Sequence, residues 1–353
     1  MSGVDTADPT PTRRRRSHGS VRMELVAERA GVSTITVSRV LNQPDKVAKE
    51  TRTRVWAAIE ATGYIPNLIA GGLASSRTRV VGIIVPTITN SIFADTVQGM
   101  TDVLGAQSYQ LLLATSGYSL KVEAELVSAF LAQRPSGLVL TGLAHAPRTL
   151  KLLARADIPL VETWSSVRKP IDMLVGFSNE KAAFEMMRTL ATAGYRKIGF
   201  VSAPIKQNDR ALGRRKGYRR AVQQLGLVDD RTLEREALFS LQNGSRALSD
   251  LVGQHPDVEA IFFANDILAA GGLLECARRG WPVPERLGIA GFDDVDLASQ
   301  MLPALTTVRI PRYEIGATAA RLILARLAGK TVEQRILDLG FEVVVRDSTR
   351  GKA

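Results

Sequence analysis

The sequence predicts an α/β protein whose body has two lobes, each a parallel sheet with helices on both faces, preceded by a small all-α domain. From residue 80 onward, short and continuous apolar runs alternate with amphipathic helical patterns, which is typical of parallel sheets covered on both faces. Near the N-terminus, two short helical patterns flank a glycine-containing turn. The 353 residues suffice for two or three domains of about 100–200 residues each.

The composition excludes several classes of protein. Hydrophobic residues make up 45% and charged residues 23%, which is ordinary for a globular chain and unlike a disordered or fibrous one. No apolar stretch approaches the roughly 18 residues of a membrane span, and no apolar segment follows the run Arg13–Arg16 as it would in a secretory signal. The single cysteine, Cys276, cannot form an internal disulfide. We therefore expect a reducing, cytoplasmic compartment and no membrane partner.

Positive charge is concentrated at the N-terminal end of the chain. The net charge is +11, and residues 1–79 contain 13 Lys and Arg against 7 Asp and Glu. A basic end on a nearly neutral body is typical of nucleic-acid binding. A solvated basic tail is the alternative that charge alone leaves open.

The N-terminal pattern separates these two interpretations. Helices are predicted over residues 23–30, 34–41 and 49–62. Gly31 suits a left-handed C-cap for the first helix, and Ser33 suits the N-cap of the second. Two short helices joined by such a turn form a helix-turn-helix, whose second helix enters the major groove of DNA.

This segment also resembles a known family. The run Ala27-Glu-Arg-Ala-Gly-Val-Ser-Thr-Ile-Thr-Val-Ser-Arg-Val-Leu-Asn42 is similar to the DNA-reading head of the LacI/GalR family, and Val47–Thr53 and Gly63–Asn67 continue the match. The resemblance extends over residues 22–347. It implies a bacterial transcription factor that binds a pseudo-palindromic double-stranded DNA operator as a homodimer. It also implies a periplasmic-binding-protein-like body that binds a small effector, and we expect no cofactor and no metal.

The resemblance and the composition together predict the domain boundaries. We expect a disordered basic tail over residues 1–19, the helix-turn-helix domain over 20–66, a hinge helix or linker over 67–78, and the body over 79–347. Within the body, we expect the N-lobe to comprise residues 79–176 and 308–333, and the C-lobe residues 177–307 and 334–347.

The second helix carries the predicted base contacts. Thr34 and Ile35 lie at its start, where side chains reach base edges, and Ile35 can only touch a thymine methyl or exclude another base. Arg39, one turn further along, can bind guanine as a fork, with a salt bridge as the alternative. Short polar side chains suited to phosphates or base edges complete the set, although helix-surface positions are the alternative for two of them: Ser33, Thr36, Ser38 and Asn42.

The hinge and the caps depart from the usual pattern of the family. The resemblance implies that residues 66–75 form a helix on the operator, that Asn67 contacts DNA and that Leu73 enters the minor groove and kinks it. Gly71 and Gly72 each cost a helix about 1 kcal/mol, so folding this hinge should be expensive; a plain flexible linker is the alternative. Arg22 and Ala48 stand where relatives place capping residues, and a lost cap costs about 0.5–2 kcal/mol.

The body presents candidate effector ligands after its predicted strands. These strands are expected at 80–85, 109–114, 137–141, 160–163, 198–202, 260–264 and 287–291. Ligands of such sheets bind beyond the carboxyl ends of the strands. The candidate effector ligands chosen because they follow a strand are Asn90, Phe93, Thr141, Trp164 and Arg210. The resemblance to the family implies five further effector ligands: Phe177, Arg214, Phe239, Asn265 and Asp293. Core packing is the alternative for Phe177 and Phe239, and a helix N-cap is the alternative for Asp266.

Some motifs resemble the gluconate-operon repressors in particular. They are Val175–Glu180, Lys216–Tyr218, Asn265–Gly271, Glu275-Cys276, Ile289–Phe292 and Leu337–Phe341. They imply an aldonic acid such as gluconate as effector, with a phosphorylated aldonate as a variant. A carboxylate favours a fixed cation, for which Arg214 is the first candidate, Arg210 the second and Lys206 the third.

The sequence thus predicts an effector-controlled repressor of sugar-acid genes, active in the bacterial cytoplasm at the nucleoid. A periplasmic-type sugar-binding protein shares the two-lobed body, but it would carry a signal peptide and no reading head. A doubly wound enzyme is the third hypothesis. Against it, the three His form no HExxH motif or metal-ligand cluster, and no GxSxG, GxGxxG or P-loop is present.

Overall fold

The structure is a computed structural model that describes residues 22–64, 78–89, 91–166 and 169–349, except for the side chain of Asn42. The chain divides into two compact units between Thr78 and Arg79. The predicted basic tail and the hinge residues 67–77 lie outside the described residues.

The first unit contains three helices with the predicted bounds, apart from one additional residue at the end of the second. They are α1 (Met23–Ala30), α2 (Thr34–Asn42) and α3 (Lys49–Thr62), with a 3-10 turn at Pro44–Lys46. Gly31 ends α1 in the left-handed conformation, with φ of 63°. The side chain of Ser33 begins α2 by accepting a hydrogen bond from the backbone N–H of Thr36 at 3.2 Å. Both predicted caps are confirmed.

A small apolar core holds the three helices together. Val26, Val37, Val40 and Val55 are each at most 1% exposed, with Ala30 and Ile59 packed beside them. The two unusual cap positions, Arg22 and Ala48, make no side-chain capping bond. The head therefore relies on this core rather than on side-chain N-caps at α1 and α3.

The second unit begins with alternating strands and helices of the first lobe. They are β1 (Val80–Val85), α4 (Ala94–Gly105), β2 (Gln110–Thr115), α5 (Leu120–Ala132), β3 (Gly137–Thr141), α6 (Pro147–Leu153), β4 (Leu160–Thr163) and β5 (Met173–Gly176). The strands β1, β3, β4 and β5 are buried along nearly their whole length because helices cover both faces of the sheet.

The chain then forms the second lobe and returns. The second lobe contains α7 (Asn179–Thr192), β6 (Ile198–Ser202), α8 (Asp209–Gln224), β7 (Glu234–Glu236), α9 (Leu241–Gln254), β8 (Ala260–Phe263), α10 (Asp266–Arg278), β9 (Gly288–Ala290) and α11 (Asp296–Gln300). The returning segment contains β10 (Thr307–Arg309), α12 (Arg312–Leu327), β11 (Ile336–Asp338) and β12 (Glu342–Val344). All seven predicted strands are present, and each bound lies within one residue of the expected position.

Two parallel sheets form the centres of the lobes. The first has six strands in the order β11-β5-β4-β3-β1-β2, and the second has four in the order β7-β6-β8-β9. Strands β10 and β12 pair antiparallel where the chain crosses between the lobes. In the first lobe, α12 packs closely on α4 because Gly99 and Gly316 let the two backbones approach.

The predicted lobe boundary near the C-terminus is wrong at one strand. Residues 334–347 were expected in the C-lobe, but Ile336–Asp338 pairs parallel with β5 in the sheet of the first lobe. The chain returns to the second lobe only afterwards, where Ser348 accepts a hydrogen bond from the N–H of Ile289. A three-residue edge strand has no periodicity of its own, so only its pairing reveals the lobe to which it belongs.

Helix α8 begins at Asp209, five residues before Arg214. The side chain of Asn208 accepts a hydrogen bond from the N–H of Ala211 at 3.2 Å and caps the helix there. Both Arg210 and Arg214 therefore lie on one helix, one turn apart, at the edge of the second lobe that faces the first. Among the described residues, no helix is long and apolar enough to span a bilayer.

Candidate DNA-reading helix and effector cleft

The outer face of α2 carries the predicted base contacts. Thr34, Ile35 and Arg39 are exposed, whereas Val37 and Val40 on the opposite face are buried in the core of the head. Ile35 is 64% exposed, which is unusual for a large apolar side chain. This face therefore offers a guanidinium and an apolar group together, which suits guanine and thymine edges in a major groove.

The smaller polar residues of the reading head are less free. Ser33 contacts both the backbone N–H and the hydroxyl of Thr36, with the two hydroxyl oxygens 3.0 Å apart. Ser38 is partly buried. Asn67, Leu73 and the side chain of Asn42 lie outside the described part of the chain.

In the body, Arg214 is the centre of a buried polar network. Its Nε donates to Asn179 Oδ1 at 2.9 Å and its Nη1 to the carbonyl of Ala264 at 2.6 Å. Its Nη2 lies 3.4 Å from Asp293 Oδ1, and Asn265 Nδ2 donates to the other oxygen of Asp293 at 2.5 Å. The structure therefore brings three predicted ligands together, already bonded to one another.

Burial and charge act in opposite directions within this network. Burial raises the pKa of Asp293, while the charge of Arg214 lowers it. Burial likewise lowers the pKa of Arg214, and Asp293 opposes that shift. The guanidinium also lies 3.7 Å from the centre of the Phe292 ring. Each ion thus depends on the other for its charge.

A row of aromatic rings runs beside this polar network. Phe93 packs edge-on against Trp164 at 4.9 Å between ring centres, Trp164 lies 6.4 Å from Phe177, and Phe177 lies 6.4 Å from Phe292. All four rings are at most 1% exposed. In this structure Phe177 is therefore packed as a core residue, which was the alternative to effector binding. The Nε1–H of Trp164 is buried without a hydrogen-bond partner among the described residues.

Arg210 and Thr141 join the two lobes. Arg210 Nη1 donates to the carbonyl of Thr141, at 3.3 Å, and to its neighbour Asp209, at 3.1 Å. Gly142 follows Thr141 with φ of 92°, and a Cβ there would overlap the Arg210 guanidinium. Glycine at this position therefore permits the close approach of the lobes.

Two adjoining cavities remain between the lobes. The larger, of about 440 Å³, is lined by segments that follow β1, β2, β6 and β7, including Thr87, Tyr118, Lys206, Asn208 and Phe239. The smaller, of about 280 Å³, is lined by Ser91, Asp95, Ile267, Asp296 and Arg312 among others. Thr89 and Phe239 line both. Of the predicted effector ligands that are described, Phe239 lines these cavities; Asn90 lies outside the described residues.

The sequence reasoning missed two prominent residues of the cleft. The Tyr118 ring lies 5.7 Å from that of Phe239 in the opposite lobe, and burial raises the pKa of Tyr118 to about 12. Arg312 Nε donates to Asp95 at 2.8 Å, and its Nη1 donates to the carbonyls of Asp293 and Asp294. Tyr118 follows β2, so position after a strand could have selected it, whereas Arg312 begins a helix and gave no such signal.

Asp266 is not an N-cap, so that interpretation is wrong. Asn265 caps α10 by accepting from the N–H of Ile267 at 3.0 Å. Asp266 instead accepts from the Thr307 hydroxyl at 2.6 Å and from the N–H of Val295 at 2.9 Å. Burial, together with the charge of Asp293, raises the pKa of Asp266 to about 7. Its bond to Val295 supports the loop that presents Asp293, which has a positive φ of 114°.

A second buried ionic cluster lies in the first lobe. His145 Nδ1 is 2.9 Å from Glu123, and its Nε2 is 3.3 Å from Glu162. Burial opposes the charge on His145, but the hydrogen bond to Glu123 and the ionic contacts with Glu123 and Glu162 outweigh it and raise the pKa of His145 to about 9. At neutral pH the imidazolium therefore bridges two carboxylates. Within the described ranges, no group of three or more His, Cys, Asp or Glu has the geometry to hold a metal.

Comparisons with known proteins agree with both units. A model of the bacterial regulatory proteins of the lacI family matches residues 22–67, and a model of the periplasmic binding protein-like domain matches residues 187–349. The HTH-type transcriptional regulator GntR of Escherichia coli K12 is 36% identical over 319 residues, which cover 90% of this chain and 96% of that protein. The chain belongs to the LacI family.

Further LacI-family similarity extends over the whole body. The HTH-type transcriptional regulator IdnR of E. coli K12 is 35% identical over 324 residues, or 92% of this chain and 97% of that protein. The solved structure of a LacI-family regulator from Silicibacter pomeroyi has a TM-score of 0.87 at 33% identity, covering 93% of this chain and 99% of that one. This LacI-family chain is a DNA-binding transcriptional regulator, and the predicted fold class is confirmed.

Proposed function

We propose that this LacI-family regulator represses sugar-acid catabolic genes in the bacterial cytoplasm and that an aldonic acid such as gluconate releases it from its operator. The observation that carries the proposal is the pairing of an exposed reading face on α2 with cavities enclosed between two lobes. The gluconate-repressor-like motifs, among them Leu337–Phe341, support the class of effector. Binding and release, rather than catalysis, account for these features.

We propose that the working unit is a homodimer on a pseudo-palindromic operator. One helix-turn-helix head covers a single half-site, and two-fold symmetric proteins read two-fold symmetric sites. Thr34, Ile35 and Arg39 would supply the base contacts of each half-site, with Leu73 of the predicted hinge between them.

Release requires that the effector bind the DNA-free state more tightly than the DNA-bound state. A ten- to hundredfold loss of operator affinity corresponds to about 1.4–2.8 kcal/mol of coupling, which is within the usual allosteric range. Gel-shift titration of the purified protein on genomic fragments, with and without gluconate, 6-phosphogluconate, glucose or ribose, tests both parts. We expect one or more specific fragments to be bound and to be released by gluconate. If the protein bound no DNA fragment, the proposed repression of these genes would be wrong. If it bound a fragment but neither acid released it, the proposed effector would be wrong.

A further inference from the structure

Four cations lie in or beside the cavities between the lobes, and their surroundings differ; Arg312 and Lys206 line a cavity, whereas Arg210 and Arg214 do not. Three are arginines held by protein acceptors, namely Arg210, Arg214 and Arg312. The fourth, Lys206, is exposed on the loop between β6 and α8 and lines the larger cavity. We propose that Lys206 binds the carboxylate of the effector and that the effector is an unphosphorylated monoanion. This inference rests on the sugar-acid function proposed above.

Arg214, the cation that the sequence places first, is already committed. All three of its nitrogens donate to protein acceptors, and the residue is 5% exposed. If it turned to an effector, Asp293 would be buried without its cation, and unpaired buried charges are strongly destabilising. Arg214 also lines neither cavity, so we assign it to the support of Asp293 rather than to the carboxylate of the effector.

The two other arginines are constrained in the same way. Arg210 holds the first lobe through the carbonyl of Thr141 and is paired with Asp209. Arg312 lines the smaller cavity beside two carboxylates, Asp95 and Asp296. This cavity therefore has excess negative charge and repels a carboxylate, but its oxygens can accept hydrogen bonds from the hydroxyls of a polyol.

The larger cavity has the opposite character. Lys206 is the charged residue among its described lining residues, so an anion there meets an ammonium and no carboxylate. Hydroxyls of Thr87, Thr115 and Tyr118 line the same space. Tyr118 remains protonated, because burial raises its pKa to about 12, and it can donate a hydrogen bond. Since the two cavities share Thr89 and Phe239, an acyclic sugar acid can place its carboxylate at Lys206 and its far hydroxyls near Asp95.

The charges that line the larger cavity also distinguish a free sugar acid from its phosphate ester as the effector. A phosphate carries about −1.5 to −2 charge at neutral pH, in addition to the carboxylate. A single ammonium matches one negative charge, and the remaining hydroxyls and the two Asp residues do not offset more. The geometry therefore favours gluconate over 6-phosphogluconate.

Calorimetric titration of the full-length protein tests this assignment. The ligands are gluconate, its neutral analogue glucitol and 6-phosphogluconate; the proteins are wild type, Lys206→Met, Lys206→Arg and Lys216→Met. Lys216 is a matched control, since it is an exposed lysine of the same lobe that does not line either cavity. We expect Lys206→Met to weaken gluconate binding about 10- to 100-fold, the scale of a charged hydrogen bond, while weakening glucitol far less.

Each outcome bears on the assignment. Lys206→Arg should recover most of the gluconate affinity, and Lys216→Met should match the wild type. An unchanged gluconate affinity in Lys206→Met would overturn the role of Lys206 while leaving the sugar-acid function intact. If 6-phosphogluconate bound more tightly than gluconate, the proposal that the effector is an unphosphorylated monoanion would be wrong. If wild type bound neither acid, the proposed effector itself would fail, and Lys206 with it.

Discussion

Arg39 in the head and Arg214 in the body were both predicted to bind a ligand directly, yet their surroundings are opposite. Arg39 is exposed on a helix whose other face forms the core of the head. Arg214 is buried, and its donors are bonded to Asn179, Ala264 and Asp293. The head thus keeps its reading groups available for DNA, whereas the body uses its most buried charges to hold itself together. A residue's place in a family motif does not by itself distinguish these two uses.

The largest expected effect is on the stability of the body. Arg214→Ala leaves Asp293 buried and unpaired, which costs about 3–5 kcal/mol of the free energy of unfolding. Arg39→Ala, on an exposed helix face, should change it by less than about 0.5 kcal/mol. Urea denaturation of both variants measures the difference. Equal stability of the two would mean that the Arg214 network contributes little to folding.

The second prediction concerns the pH dependence of the first lobe. The pKa of His145 is raised to about 9, so its stabilising charge is fully present below its ordinary pKa of 6.5 and is lost as the pH rises through about 9. The urea midpoint of the body should therefore fall between pH 6.5 and pH 9.5. Asp266, whose pKa is raised from its ordinary 3.8 to about 7, contributes a fall of the same sign between about pH 4 and pH 7, mostly below the range set by His145.

The His145→Gln variant separates these two contributions. It should lose the decline between about pH 7 and pH 9 and keep the decline below about pH 7. A wild-type midpoint that stays level up to pH 9.5 would contradict the charged bridge between Glu123 and Glu162.

The third prediction concerns DNA recognition. Arg39→Ala removes a guanidinium that can bind guanine in two places, and loss of one such contact costs about 1–3 kcal/mol. Operator affinity in gel shifts should fall accordingly, while calorimetric binding of the effector stays at the wild-type value. Wild-type operator affinity in this variant would show that Arg39 does not read a base.

The smallest expected effect concerns the caps of the head. Ala48 lies at the N-cap of α3 without a capping bond, so Ala48→Ser should stabilise the head by about 0.5–2 kcal/mol. Thermal unfolding followed by circular dichroism measures the change. Ala57→Ser, at an exposed position within the same helix, is the control and should not stabilise the head. If both serines acted alike, capping would not be the cause.

Much of the architecture followed from local patterns. The bounds of α1 and α3 and of four body strands agree with the predictions, because helix and strand periods, Gly31 and Ser33 act over a few residues. The edge strand Ile336–Asp338 was misplaced since its partner, β5, lies far away in the chain. Of the predicted effector residues that are described, Phe239 lines the cavities between the lobes and the others lie buried beside them, so their binding role stays a prediction.

The sequence by itself determined which face of α2 is exposed, where the helices of the head begin and end, and that the body alternates strands with helices. Those features depend on neighbours within one element. Only the tertiary structure decided which charges are already paired. Arg214 meets Asp293 across 79 residues, and Arg312 meets Asp95 across 217. Such pairs have no local signal, because burial and the approach of the two lobes, rather than spacing along the chain, bring their atoms together.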